Sequence, residues 1–169
     1  DRARERAALG ASSMAEATLG VLGGRPSAAS IAAIDATLVV CADHELNAST
    51  FAARVAASTG ADLYACVTAA LATLSGPLHG GASDRVEALL DEVRTPDRAG
   101  RVLSERARRG DAVPGFGHPL YSNGDPRGTL LIASARRLEC KSARLETLLA
   151  VVRAMRRAGA PEPNLDVGL

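Results

Sequence analysis

Apolar residues along the chain recur at intervals of three and four rather than two, in blocks separated by short polar breaks that carry Gly or Pro. Residues 1–22 read as one helix, charged at first and then apolar through Met14, Leu19, Val21 and Leu22, and stopped by Gly23-Gly24-Arg25-Pro26-Ser27. Ser27 is placed to cap a helix over 28–41, where Ile31, Ile34, Leu38 and Cys41 form a stripe expected to be core. Asn47, Ser49 and Thr50 offer caps for a helix over 50–58 with Phe51 and Val55 on one face. Gly60 ends it, and Asp62 caps the next, with Leu63, Val67, Ala70, Leu71 and Leu74 in one stripe. After a turn at His79, Ser83 or Asp84 opens a helix with Val86, Leu89, Leu90 and Val93 at helical spacing. Thr95-Pro96-Asp97 is a turn before a basic helix of about 98–109. Residues 111–125 have no period and read as a long loop. Pro126 suits the first turn of a helix over about 127–138. Residues 142–158 follow as an amphipathic helix with Leu145, Leu148, Leu149, Val152 and Met155 on one face and Arg153, Arg156 and Arg157 near its C-terminus. Gly159 ends that helix, and 161–166 is a second irregular segment. No stretch alternates with period two for long enough to be a strand, so the expected class is all-α.

Composition narrows this picture. The 169 residues fit one domain, or a small domain plus part of another. Hydrophobic residues are 47% but aromatics only 2%, so the core must be built from Ala, Leu, Val and Ile, which suits closely packed helices. A net charge of +1 gives no electrostatic case for nucleic acid. No apolar run approaches the ~18–20 residues needed to span a bilayer, and no signal peptide opens the sequence. Cys41, Cys66 and Cys140 have no metal-like spacing, which fits small core residues in a reducing, cytoplasmic setting. The sequence begins at Asp1 rather than Met and stops after Leu169, which reads as a piece of a longer protein.

All three histidines fall in the polar breaks: His44, His79 and His118. Zinc can take three His ligands, but separations of 35 and 39 residues lack the close pair that usually anchors such a site. No Gly-x-Ser-x-Gly elbow supports a hydrolase triad. Gly115-Phe116-Gly117 could cradle phosphate, yet lacks the Lys-Ser/Thr ending of a P-loop. Imidazoles together with Arg127 suit a di-acid, because a guanidinium grips a carboxylate in two places. Asp166 then reads either as a base or as a helix N-cap.

Four segments together carry a resemblance. Asp43-His44-Glu45-Leu46-Asn47-Ala48-Ser49-Thr50, Gly76-Pro77-Leu78-His79-Gly80-Gly81-Ala82, Gly115-Phe116-Gly117-His118 with Asp125-Pro126-Arg127, and Pro163-Asn164-Leu165-Asp166 resemble, in order and spacing, the motifs of the citrate synthase family. The resemblance covers the chain from about residue 28. It implies an all-α fold in which residues 1–82 are the end of a large domain and 83–169 most of a small one, closing over a cleft in a homodimer. It implies oxaloacetate and acyl-CoA as substrates, with no metal or redox cofactor. Asp166 resembles the base that takes a methyl proton from acetyl-CoA, His79 the donor to the thioester oxygen, and His118 the group that polarises the ketone. His44 and Arg127 resemble oxaloacetate binders, and Gly115, Phe116 and Gly117 lie where coenzyme A is expected. A carboxylate is a weak base for a carbon acid, with each pKa unit of mismatch worth about 1.36 kcal/mol. Donors aimed at the developing oxyanion in a dry site must close the gap.

The sequence departs from the family after His118, where Pro119-Leu120-Tyr121-Ser122 stands for the commoner Arg-Val-Tyr-Lys. Two positive charges near the coenzyme A path are thereby absent. The arginines of 98–109, or Lys141 and Arg144, either replace them or are solvated helix faces. Three functions remain open from sequence: citrate synthesis from acetyl-CoA, 2-methylcitrate synthesis from propionyl-CoA, and carboxylate binding without catalysis.

Overall fold

The computed structural model describes residues 2–42, 46–138 and 142–169. Among these residues the regular elements are all helices, in the order α1 (Arg2–Leu9), α2 (Met14–Val21), α3 (Ala28–Ala42), α4 (Ala48–Ser58), α5 (Leu63–Leu74), α6 (Ala82–Val93), a single 3-10 turn (Pro96–Arg98), α7 (Ala99–Arg109), α8 (Pro126–Arg137), α9 (Ala143–Arg157) and α10 (Leu165–Gly168). The all-α expectation holds. No described helix is long and apolar enough to cross a membrane.

The expected single helix over 1–22 is two helices. Gly10 follows α1, and Ser13 caps α2 by accepting from the Glu16 N–H at 3.1 Å. Glu16 reaches back to the Ser12 N–H and hydroxyl at 2.8 and 2.6 Å. This reciprocal cap satisfies donors that a continuous helix would have bonded internally, so the break is stable. Elsewhere the local chemistry acts as read. Asn47 and Asp62 accept from the third N–H beyond them and start α4 and α5. Pro126 occupies the first position of α8 behind the Asp125 cap.

The core lies in the C-terminal half. Leu89, Leu90 and Val93 of α6 pack with Ala99, Val102 and Leu103 of α7 and with Ala150 and Val151 of α9. A second cluster joins Val86, Ile132, Leu149, Val152 and Val167, and Phe116 packs against both. Each large side chain so buried stabilises the fold by about 1.5–3 kcal/mol. Through Val86, Phe116 and Val167 this packing ties α6, the 111–125 loop and α10 together. Those three segments carry or adjoin His79, His118 and Asp166.

The N-terminal half differs from the expectation. The α3 stripe is not core: Leu38 and Cys41 are exposed and no residue of α3 is fully buried. Cys66 is buried as expected, and Cys140 lies outside the described residues. The α4–α5 hairpin presents Phe51 (56% exposed), Leu63 (76%), Tyr64 (86%) and Leu71 (58%) at its surface. Periodicity identifies the apolar face but not whether this chain itself covers it.

Candidate active site

His79 sits in the tight turn between α5 and α6. Its N–H donates to Gly76 O at 2.9 Å, and its carbonyl accepts from the Ala82 N–H at 2.9 Å. A Cβ at Gly80 would lie 2.6 Å from Leu74 O, so the close chain crossing requires glycine there. The ring is half-buried, and its Nε2 lies 3.0 Å from the Ser49 hydroxyl. The first turn of α6 begins three residues later, with Ser83 pointing its hydroxyl at Asp166 Oδ1, 3.0 Å away.

The 111–125 loop positions the second histidine. The Leu120 N–H donates to His118 Nδ1 at 3.2 Å, so the neutral ring carries its proton on Nε2. Arg127 Nη2 stands 3.4 Å from that Nε2. Since both are donors, the pair presents two hydrogen-bond donors side by side, suited to a ketone next to a carboxylate. Tyr121 flanks both groups, its ring centroid 5.1 Å from that of His118 and 5.7 Å from the Arg127 guanidinium carbon.

Asp125 is the joint of the site. It is fully buried, and Oδ1 accepts from the Arg127 N–H and Nε at 3.0 Å each. Oδ2 accepts from Arg127 Nη2 at 2.8 Å and from the Leu165 N–H at 3.0 Å. One carboxylate thus holds both the guanidinium and the backbone beside Asp166. Burial alone would push the Asp125 carboxyl up; the hydrogen bonds and charge of Arg127, with the Leu165 N–H, outweigh it and hold the group below its ordinary range. A depressed carboxyl adds stability that is present above about pH 4 and is lost as the pH falls through the folded value. The denaturation midpoint should therefore drop in acid. The gap between the unmodified protein and an Asp125→Asn variant should shrink between pH 6 and pH 3, as followed by circular dichroism. A gap constant across that range would remove Asp125 from the acid response.

Asp166 is not the cap of α10. Asn164 takes that role, accepting from the Asp166 N–H at 3.0 Å, which leaves the Asp166 carboxylate for other work. The segment before it is tied to the loop: Gly117 N–H donates to Glu162 O at 2.9 Å, Asn164 N–H to Gly115 O at 2.8 Å, and Asn164 Nδ2 to Gly117 O at 2.9 Å. Gly115 has φ +85°, and a Cβ there would sit 2.3 Å from Val167 Cγ2, so glycine is needed on both counts. Gly115, Phe116 and Gly117 therefore act first as scaffold for 162–166. Gly115 also lines, with Asp166, Ala82, Arg85, Leu89 and Pro114, a cavity of about 490 Å³.

Hydrogen bonds thus link Arg127 and Asp125 to the Asp166 segment, with His118 beside Arg127, while Ser83 links that segment to the helix following His79. His44 lies outside the described residues. Asn164 sits inside a quoted motif without an assigned role, Asn47 and Ser49 read only as helix caps, and Ser83 and Asp125 only as a helix start or a motif letter. Ser49, Ser83, Asn164 and Asp125 each have a remote partner 30 to 83 residues away, beyond any local pattern. Arg144 pairs with Asp91 at 2.6 Å and with Glu87, and Arg101 with Glu105 at 2.9 Å, as solvated helix faces do, whereas Arg106, paired with Glu92, is half-buried and lines the cavity beside Asp166. Lys141 is outside the described residues.

The family description "Citrate synthase, C-terminal domain" matches residues 2–168. The chain belongs to the citrate synthase family. It is 47% identical over 131 residues to putative citrate synthase 2 of Mycobacterium tuberculosis, covering 78% of this chain and 35% of that protein. It is 42% identical over 109 residues to the 2-methylcitrate synthase of Shewanella oneidensis, covering 64% and 29%. Among solved structures it is similar to citrate synthase from Thermoplasma acidophilum in ternary complex with carboxymethyl coenzyme A and oxaloacetate. That match has a TM-score of 0.71 and 32% identity, and covers 93% of this chain and 44% of that one. The chain thus spans about a third of the length of the curated family relatives it matches.

Proposed function

We propose that the full-length protein condenses acetyl-CoA with oxaloacetate to give citrate and CoA. In this reading residues 1–82 close the large domain and 83–169 form most of the small one. Arg127, held by Asp125, binds a carboxylate of the keto acid, and the Nε2–H of His118 polarises its ketone. The Ser49 hydroxyl, 3.0 Å from His79 Nε2, holds that ring in place, and His79 is the donor to the thioester oxygen. Asp166 removes the methyl proton, and the enol carbon attacks the polarised ketone to form citryl-CoA. Water then cleaves the thioester.

The observation that carries this reading is the Asp125 joint, which supports an electrophile-binding arginine and a carboxylate base in one hydrogen-bonded unit. The Ser49 contact and the similarity to a citrate synthase bound to oxaloacetate and a coenzyme A analogue support it further. The test is CoA thiol release by the full-length protein, given oxaloacetate with acetyl-CoA or propionyl-CoA. Release with acetyl-CoA that requires oxaloacetate is expected. Faster turnover of propionyl-CoA would assign 2-methylcitrate synthesis, a reading the Shewanella relative favours. No release with either, from folded protein that still binds oxaloacetate in calorimetry, would leave carboxylate binding alone.

The exposed apolar face of α4 and α5 supports a homodimer, with a second copy covering Phe51, Tyr64 and Leu71. Light scattering of the full-length protein should give twice the monomer mass, and a clean monomer would end the idea. The free thiols of Cys41 and Cys66 fit a reducing cytoplasm.

A further inference from the structure

The backbone around Asp166 and its side chain are held by different groups. Asn164, Gly115, Gly117 and Asp125 fix the backbone of 164–166. Among the described residues, only Ser83 bonds to the carboxylate, donating to Oδ1 at 3.0 Å across 83 residues of sequence. A carboxylate turns easily about its last torsion, which is broad and roughly two-fold. One hydroxyl on one oxygen is enough to remove that freedom.

From this geometry we infer that Ser83 is a positioning residue for the base: it occupies Oδ1 and orients Asp166 so that Oδ2 takes the proton from the acyl-CoA. The inference rests on the proposed condensation. Ser83 is well placed for the task because its backbone is fixed on the first turn of α6, with its N–H donating to Gly80 O at 3.2 Å. The same short turn carries His79, the donor to the thioester oxygen in the proposed reaction. One rigid segment, 79–83, therefore sets the donor that stabilises the enol and the orientation of the base that creates it. Asp166 lines the cavity of about 490 Å³ in which an acyl group can meet it, and Ala82, the neighbour of Ser83, lines that cavity too. Proton transfer from carbon depends steeply on the approach of base to hydrogen, and a misplacement of about 1 Å can cost about 100-fold.

The test uses the full-length protein and four forms: unmodified, Ser83→Ala, Ser83→Thr and Asp166→Asn. Steady-state condensation is measured with ordinary and methyl-deuterated acetyl-CoA. Ser83→Ala should lower kcat by about 5- to 50-fold, leave the KM for oxaloacetate unchanged, and raise the deuterium isotope effect on kcat as proton removal becomes slower. Ser83→Thr keeps the hydroxyl and should restore most of kcat and the original isotope effect. A packing role for Ser83 would not move the isotope effect. Ser83→Ala with unmodified kcat and isotope effect overturns the inference, and so does Ser83→Thr falling as far as Ser83→Ala. In both cases an inactive Asp166→Asn variant leaves the proposed function standing. If Asp166→Asn is as active as the unmodified protein, some other group removes the proton and this inference fails while the condensation stands; if no form releases CoA, the proposed function fails and this inference with it.

Discussion

Replacing Asp166 by Asn in the full-length protein should lower condensation about 100- to 10,000-fold, the range typical for loss of a positioned general base. Stability should scarcely change. The side chain is half-buried, and the amide oxygen of Asn can accept from Ser83 as the carboxylate does. The backbone of α10 is held by Asn164 and Asp125, which the substitution does not touch. Oxaloacetate affinity should persist as well, because Arg127 takes its orientation from Asp125. The distinguishing result is a large fall in kcat with the thermal midpoint and calorimetric affinity for oxaloacetate both retained. Retained turnover would mean that some other group removes the proton.

The second large effect is expected from Gly128→Ala, a substitution of one methyl group. A Cβ at this position would lie 2.3 Å from Asn164 O and 2.7 Å from its carbonyl carbon, with Pro163 O at 2.8 Å. These are backbone atoms that cannot rotate away. The clash must push α8 and the 163–166 segment apart, at about 1–3 kcal/mol or more. The displaced segment carries both Asp166 and the Leu165 N–H that Asp125 accepts. Activity should therefore fall further than the loss of stability explains, by about 100-fold for a shift near 1 Å. Thermal melts and turnover on the same protein separate the two contributions. A variant with unmodified melting and turnover would show that α8 and α10 can separate freely. Gly128→Ser should behave as Ala does, since the clash belongs to the Cβ.

Much of this was legible in the sequence because it is local. Caps at Asn47, Asp62 and Asp125 work within three residues, and the stripes of α6 and α9 face the core as their spacing requires. The order of the motifs marked the positions of His79, His118, Arg127 and Asp166. The break between α1 and α2 was hidden because a charged-to-apolar gradient masked the pair Ser12 and Ser13. The surface position of the α3 stripe was hidden for a different reason: helical periodicity reports which side is apolar, and burial depends on what arrives from elsewhere. The same limit applies to Asp125 and Ser83. A capping aspartate before Pro looks identical whether or not its second oxygen reaches a residue 40 positions away.

That reach has a consequence for the order of folding. The last ten residues complete the site, and their anchors are remote: Ser83 lies 83 positions back, Gly117 47 and Asp125 40. The α6–α7 packing can form from near neighbours, whereas closing these longer loops carries a larger entropic cost and comes late. Until α10 docks, Gly115 O and Gly117 O lack the donors that satisfy them in the native state, and Asp125 Oδ2 has Arg127 alone. A folding chain can therefore be compact and largely helical before the Asp166 segment is in place. Competence and compactness are separate events in this protein, and refolding followed by helix content should run ahead of refolding followed by turnover.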